Sequence, residues 1–503
     1  MSGNRKIVKN TVMLYIRMIF SVCINLYAAR VLLHTLGVDD FGVYNIVGGI
    51  VAMLSFLNSS MSGCTSRFLT YELGREDRAK LRTTFSTAFQ VHIYIALAIL
   101  LIGETLGYWF VNSQLEIPES RVFAANVVYQ FSLFSAVVSF LQVPYSADII
   151  ANERMDAYAF IEIGHVLMKL AVIILLTYLS FDKLISYSFL IFCVSVAVFL
   201  WYRTFCKRHF EEAVFKQGTD RSIMLPMLTF TGWDIYGNLC VVAQQQGVNV
   251  LINRFFGVAL NAATGVATQA SSAVSLFVSS LTMALRPPLI KKFASGDILG
   301  LQRLFTISLI LCAFLVELIC LPLYLRIDSL MELWLVDVPA YAVEFCKWLI
   351  LVNSVSIINT LFNAVIHATG KIKMLSLVSG SLYLLTVLFS YIAFRCSCPP
   401  EMTYTIWLII SVAVLLNNIL ISKRLISGMS YKQILKDLLV PITALLITVF
   451  ASIYINTALT ESILSIMLLF IINALLAFVS LYILWIGPNY GWNLKKIIRR
   501  NEV

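Results

Sequence analysis

Charge is what this chain has least of. Asp, Glu, Lys and Arg make up 13% of its 503 residues, against about 25% in soluble domains. Long polar loops are missing as well, which removes the room that a membrane-bound polymerase or ligase would need for outer catalytic residues. No H-x-x-x-H pair and no Cys/His pairing occurs at metal-site spacing, so neither a metal site nor a catalytic residue is expected and the chain is not read as an enzyme. The ten cysteines lie mostly within apolar runs, where a small apolar filler is the default reading. Cys396 and Cys398 form a C-x-C pair of poor geometry for a mutual bridge.

Hydrophobic residues make up 59% of the chain and the mean hydropathy is +0.86. Fourteen runs of eighteen or more apolar residues, from 7–33 to 462–486, read as membrane spans. With the N-terminus inside, 28 Lys and Arg side chains fall on the inner face and seven on the outer face, which places both termini in the cytoplasm. The net charge of +10 is dispersed over the short loops of one face. It therefore indicates topology and contact with anionic lipids rather than nucleic acid. The first run lacks a small-residue cleavage site and is too long for a signal peptide.

The chain repeats itself. Ser132, Ser135, Ser139, Gln142 and Ser146 form one helical stripe, and Asn353, Ser356, Thr360, Asn363 and His367 form another at the same offsets 221 residues later. At a shift of 220, Ser59/Ser279, Ser60/Ser280, Leu69/Leu289, Asp77/Asp297, Leu81/Leu301 and Phe85/Phe305 are identical, and Gly37-Val38 matches Gly257-Val258. A shift spanning six helices predicts two copies of parallel topology. The expected fold is all-α: a polytopic membrane protein of about 14 transmembrane helices, with two pseudo-symmetric six-helix lobes plus two C-terminal helices. The lobes are expected at 1–215 and 216–430, followed by 431–503 with spans 13 and 14 and a basic cytoplasmic tail.

Polar stripes recur in spans one, four, seven, eight and ten. The seventh carries Asp234, Asn238, Gln245, Asn249 and Asn253. Single Ser or Thr residues usually join helices to one another. Coincident stripes in both copies, with Arg and Asp among them, point instead to a hydrated cavity. Ionisable residues deep in the spans cost roughly 2.5–3.5 kcal/mol each at a helix centre. Arg17 and Lys169 add positive charge where an anion could be held. Glu162 lies two turns from Lys169 on the same face. For Glu104, Glu162 and Glu317, structural pairing is an equally good reading.

The stretch "AARVLLHTLGVDDFGVYNIVGGIVAML" at 28–54, the loop "ELWLVDVPAYAVEF" at 332–345 and the turn Ala151-Asn152-Glu153-Arg154 resemble the O-antigen and capsule flippases of the multidrug, oligosaccharidyl-lipid and polysaccharide (MOP) exporter superfamily. The resemblance implies a carrier of undecaprenyl-diphosphate-linked oligosaccharide, working by alternating access in a bacterial inner membrane. Its implied partners are the polyprenyl-diphosphate-linked glycan, anionic lipids, and a polysaccharide polymerase and glycosyltransferases; nucleic acid is not among them. On that reading Arg17 and Lys169 meet the pyrophosphate, while Gln244, Gln245, Asn249 and Asn253 meet sugar hydroxyls. Arg67 and Arg286 collect the headgroup or simply anchor the inner face. No cofactor is expected. Coupling to a proton or sodium gradient would use Asp234 or Glu317, and the membrane potential would favour outward movement of the anion. A drug or cation antiporter of the same superfamily is the alternative, although such proteins usually carry an acidic residue in span one and residues 7–33 contain none.

Overall fold

A computed structural model describes residues 3–52, 55–113, 117–215, 220–335, 337–426, 428, 430–458 and 463–482. The basic tail with Lys495, Lys496, Arg499 and Arg500 lies outside them. Among the described residues there is no strand. The first helices are α1 (Gly3–Ala52), α2 (Ser55–Arg75) and α3 (Arg78–Ile102). A π turn at Gly103–Gly107 leads into α4 (Tyr108–Ser113), followed by α5 (Val122–Ala151), α6 (Met155–Leu176) and α7 (Lys183–His209). Next come α8 (Arg221–Phe256), α9 (Val258–Ala294) and α10 (Ile298–Leu315). A second π turn at Val316–Cys320 leads into α11 (Leu321–Trp334), followed by α12 (Ala342–Thr369). A third π turn at Leu375–Ser379 opens α13 (Gly380–Arg395), and α14 (Met402–Leu425), α15 (Tyr431–Ala458) and α16 (Ile463–Leu481) complete the chain.

Ten helical segments among the described residues are long and apolar enough to cross a membrane, and shorter apolar helices occupy Ile442–Asn456 and Leu464–Val479. Four expected spans fall outside the ten: 437–458 and 462–486, which correspond to the two shorter helices, and two others. The run 41–63 crosses residues 53–54, which are not described. The run 224–253 is helical in α8, but Asp234, Asn238, three consecutive glutamines and Asn249 lower its apolarity. The molecule is a multi-pass all-α membrane protein.

The chain divides into two compact units, Lys9–Ile235 on one side and Met1–Val8 with Tyr236–Val503 on the other. They are called here the N-unit and the C-unit. In the N-unit, α5 is the central helix and packs against α2, α3, α6 and α7. In the C-unit that place belongs to α12, which packs against α9, α10, α11 and α14. The two polar stripes of the sequence therefore lie on the two central helices.

The repeated residues have physical roles in common. Asp77 caps α3 by accepting from the Lys80 amide at 3.0 Å, and Asp297 caps α10 by accepting from the Gly300 amide at 2.8 Å. Each cap satisfies an amide that the first helical turn leaves without a partner. Leu69 and Leu289, Leu81 and Leu301, and Phe85 and Phe305 are all buried. Gly37 (φ 79°, ψ 170°) and Gly257 (φ 88°, ψ −179°) break the helix at matching points. That backbone region is essentially restricted to glycine.

Side-chain hydrogen bonds from neighbouring helices reach two of the π turns. Tyr129 on α5 donates to the Gly103 carbonyl at 2.7 Å. In the second π turn, fully buried Glu317 accepts from Thr448 of α15 at 3.3 Å.

Candidate functional site

Five helices of the C-unit enclose a pocket of about 360 Å³, within the range of small-ligand sites. From α8 come Gln244, Gln245, Gln246 and Asn249, and from α9 come Thr268, Ser271, Ser272 and Ser275. Asn353 and Ser356 of α12, Tyr383 of α13 and Trp407 of α14 complete the polar and aromatic wall. The lining contains no Asp, Glu, Lys, Arg or His.

Helical spacing puts these groups together. Asn249 follows Gln245 by one turn of α8, and Ser271 and Ser275 are one turn apart on α9. Asn353 donates to the Ser271 hydroxyl at 2.8 Å, which ties α12 to α9 at the pocket wall. Gln244 is 1% exposed; its Nε2 donates to the Thr386 hydroxyl at 3.1 Å, and its Oε1 has no hydrogen-bond partner. A buried amide oxygen left unpaired costs about 1–3 kcal/mol. An incoming hydroxyl would recover that cost. Beside the pocket, Asn418 donates to Asn359 at 2.7 Å and to Asn363 at 2.8 Å, and accepts from Ser379 at 2.9 Å. Here part of the α12 stripe serves as helix–helix adhesive.

The N-unit holds a different cluster. Arg17 of α1 lies 5.4 Å from the centre of the Tyr158 ring, and its buried Nε has no hydrogen-bond partner. Tyr158, Glu162, His165 and Lys169 follow one another along one face of α6. Tyr202 of α7 donates to Glu162 at 2.7 Å, and the Tyr158 and Tyr202 rings are 6.5 Å apart.

The remaining expected residues are dispersed. Asn253 is exposed near the end of α8 and does not line the pocket. Arg67 is 8% exposed, with its guanidinium 4.8 Å from both the Phe68 and Tyr71 ring centres. Arg286 is half-buried on α9 beside Pro287 and Pro288. Asp234 is half-buried on the N-unit part of α8. Glu317 packs toward α15 and is not among the pocket residues. Among the described residues no group of three or more His, Cys, Asp or Glu could hold a metal ion, and all ten cysteines are free.

Sequence reasoning identified the stripes of α8, α9 and α12 but missed Tyr383 and Trp407. An aromatic residue in an apolar helix carries no periodic signal that separates a pocket wall from a lipid-facing position.

Neither a protein-family model nor a curated protein matches the sequence. The fold is nevertheless that of MOP-superfamily transporters of the MATE family. A MATE structure in the bent conformation aligns with a TM-score of 0.75 at 12% identity, over 85% of this chain and 96% of that one. An outward-facing multidrug-resistance MATE transporter of the MOP superfamily gives 0.74 at 12% identity, over 86% and 97%. A MOP-superfamily transporter from Pyrococcus furiosus, described as having a binding pocket of reversed polarity that suggests a different function, gives 0.69 at 12% identity, over 82% and 96%.

Proposed function

We propose that this protein is an exporter of the MOP type whose cargo is a hydroxyl-rich, lipid-linked oligosaccharide, carried to the outer leaflet of a bacterial cytoplasmic membrane for surface polysaccharide assembly. The observation that carries the reading is the C-unit pocket. Its wall combines amides, hydroxyls and two aromatic rings with the aliphatic Val241, Leu349 and Val352, and it contains no Asp, Glu, Lys, Arg or His. Sugars offer many hydroxyls and an apolar ring face, and each hydrogen bond contributes about 0.5–1.5 kcal/mol. Arg17 and Lys169 in the N-unit supply the cations that a diphosphate needs. The cargo would carry a polyprenyl-diphosphate anchor, and both termini would be cytoplasmic. Polymerase and glycosyltransferases are the expected functional partners, and the reaction is transport rather than catalysis.

The comparisons alone favour the second reading, a drug or cation antiporter, because similar solved structures include a multidrug-resistance transporter. Against it stands the chemistry of the first helix: residues 7–33 carry Arg17 and no carboxylate to attract an organic cation. Titration of the purified protein with a neutral oligosaccharide and with a lipophilic organic cation separates the readings. Saturable oligosaccharide binding that Asn249→Leu weakens supports the glycan exporter. Saturable binding of the cation alone would transfer the assignment to the antiporter.

A further inference from the structure

The structure assigns Glu162 a role as an internal counter-anion, which occupies the cationic site of the N-unit until a diphosphate displaces it. This deepens the proposed function and rests on its reading of Arg17 and Lys169 as anion-binding groups.

The argument starts from charge. A cation within a membrane-embedded bundle needs a partner or an aromatic face. Arg17 has the face of Tyr158, yet its Nε is buried and unbonded, and among the described residues it makes no ion pair. Lys169 has a charged neighbour, Glu162, two turns back on α6 and within electrostatic reach. Along the face of α6, Glu162 falls between Tyr158, one turn back and carrying Arg17 on its ring, and Lys169, two turns on. Tyr202 fixes the Glu162 carboxylate with a phenol donor at 2.7 Å.

Two cations and one anion leave the cluster with one net positive charge. An incoming diphosphate brings more negative charge than Glu162 and can engage a guanidinium with two parallel hydrogen bonds. Glu162 keeps its bond to Tyr202 while the cations turn to the ligand. The carboxylate thereby offsets one of the two positive charges of the empty site and weakens ligand hold, so that the anion can leave again. A carrier needs both, since cargo held too tightly is not released.

The test uses the full-length protein in detergent, with farnesyl diphosphate and inorganic pyrophosphate as probes and farnesol as the neutral control. Glu162→Gln keeps an oxygen for Tyr202 but removes the charge. At about 10 Å and an effective dielectric near 20, removing the opposing charge should tighten diphosphate binding about tenfold. Farnesol binding should stay unchanged. Tyr202→Phe frees the carboxylate without altering charge, so it should change diphosphate affinity less than Glu162→Gln does, and it provides a second readout if the glutamine variant folds poorly. Tightening for farnesyl diphosphate but not pyrophosphate identifies a lipid headgroup as the source; tightening for both identifies the phosphate chemistry alone. Either result supports the counter-anion. Equal or weaker diphosphate binding by Glu162→Gln, with the parent binding well, would overturn the role of Glu162 and leave the exporter reading standing. Absence of binding in both proteins would overturn the anion site itself.

Discussion

Gln244→Leu removes the unpaired amide at the pocket wall with little change in volume, and its effects on stability and on transport should separate. In the folded protein the Gln244 Nε2 bond to Thr386 contributes about 0.5–1.5 kcal/mol. Its Oε1 is buried and unbonded, which costs about 1–3 kcal/mol. Leucine loses the first and relieves the second. The completely buried Thr386 hydroxyl loses a donor but can bond to the carbonyl one turn back, as Thr360 and Thr448 do. The net change in stability should therefore lie between a loss of about 0.5 and a gain of about 2.5 kcal/mol, on the order of a few degrees in thermal midpoint. If the oxygen accepts a cargo hydroxyl, binding should weaken about three- to tenfold, corresponding to roughly 0.6–1.4 kcal/mol for one hydrogen bond. The assay pairs thermal unfolding in detergent with oligosaccharide affinity, with Gln244→Leu/Thr386→Val removing both polar partners as a control. Unchanged affinity in a destabilised variant would refute the reasoning and make Gln244 a structural residue only.

Three further outcomes follow from the repeat and the loops. Asp77→Ala and Asp297→Ala each remove a helix cap and should each lower stability by about 0.5–2 kcal/mol, measured by thermal or denaturant unfolding, with Asn restoring most of the loss at both sites. Gly37→Ala and Gly257→Ala meet no atom within 4 Å, so any destabilisation comes from backbone conformation alone, about 1–3 kcal/mol each; a change below the error of unfolding measurements would contradict the glycine-only geometry. Asp182 lies between two spans. Burial raises its pKa, but the Ile185 amide, Arg121 and the Leu184 amide outweigh burial and hold the carboxyl below the usual carboxylate range. Its stabilisation is complete above the ordinary aspartate value near 4 and is lost as pH falls through the lowered folded value, so parent stability should fall more steeply in acid than that of Asp182→Asn; parallel pH profiles would remove Asp182 from the account.

Much of the fold was legible because the repeated residues are those with no freedom to vary physically. Asp77 and Asp297 cap helices, Gly37 and Gly257 occupy backbone conformations closed to other residues, and Leu81, Leu301, Phe85 and Phe305 fill interiors. The site was legible only in part. Periodicity identifies a helical face but not its neighbour, so Asn249 reached the pocket while Asn253, one turn further on α8, did not. The same limit applies to Glu317, whose depth in its span was evident but whose contact with Thr448 of α15 depends on a π turn that hydropathy does not reveal. Tyr158 and Tyr202, which hold Arg17 and Glu162, resemble any aromatic residue in a membrane helix until the helices are assembled.

The central claim is that the cargo is a lipid-linked glycan, and transbilayer movement of such a lipid measures it most directly. In proteoliposomes containing the purified protein, a polyprenyl-diphosphate oligosaccharide placed in one leaflet should become accessible to an external sugar-modifying enzyme. The rate should rise with an imposed potential of the correct sign, since moving each negative charge across 100 mV gains about 2.3 kcal/mol. Arg17→Ala should abolish that movement without loss of incorporated protein. Efflux of a cationic dye by the same proteoliposomes, with the glycan lipid remaining in its original leaflet, would contradict the account.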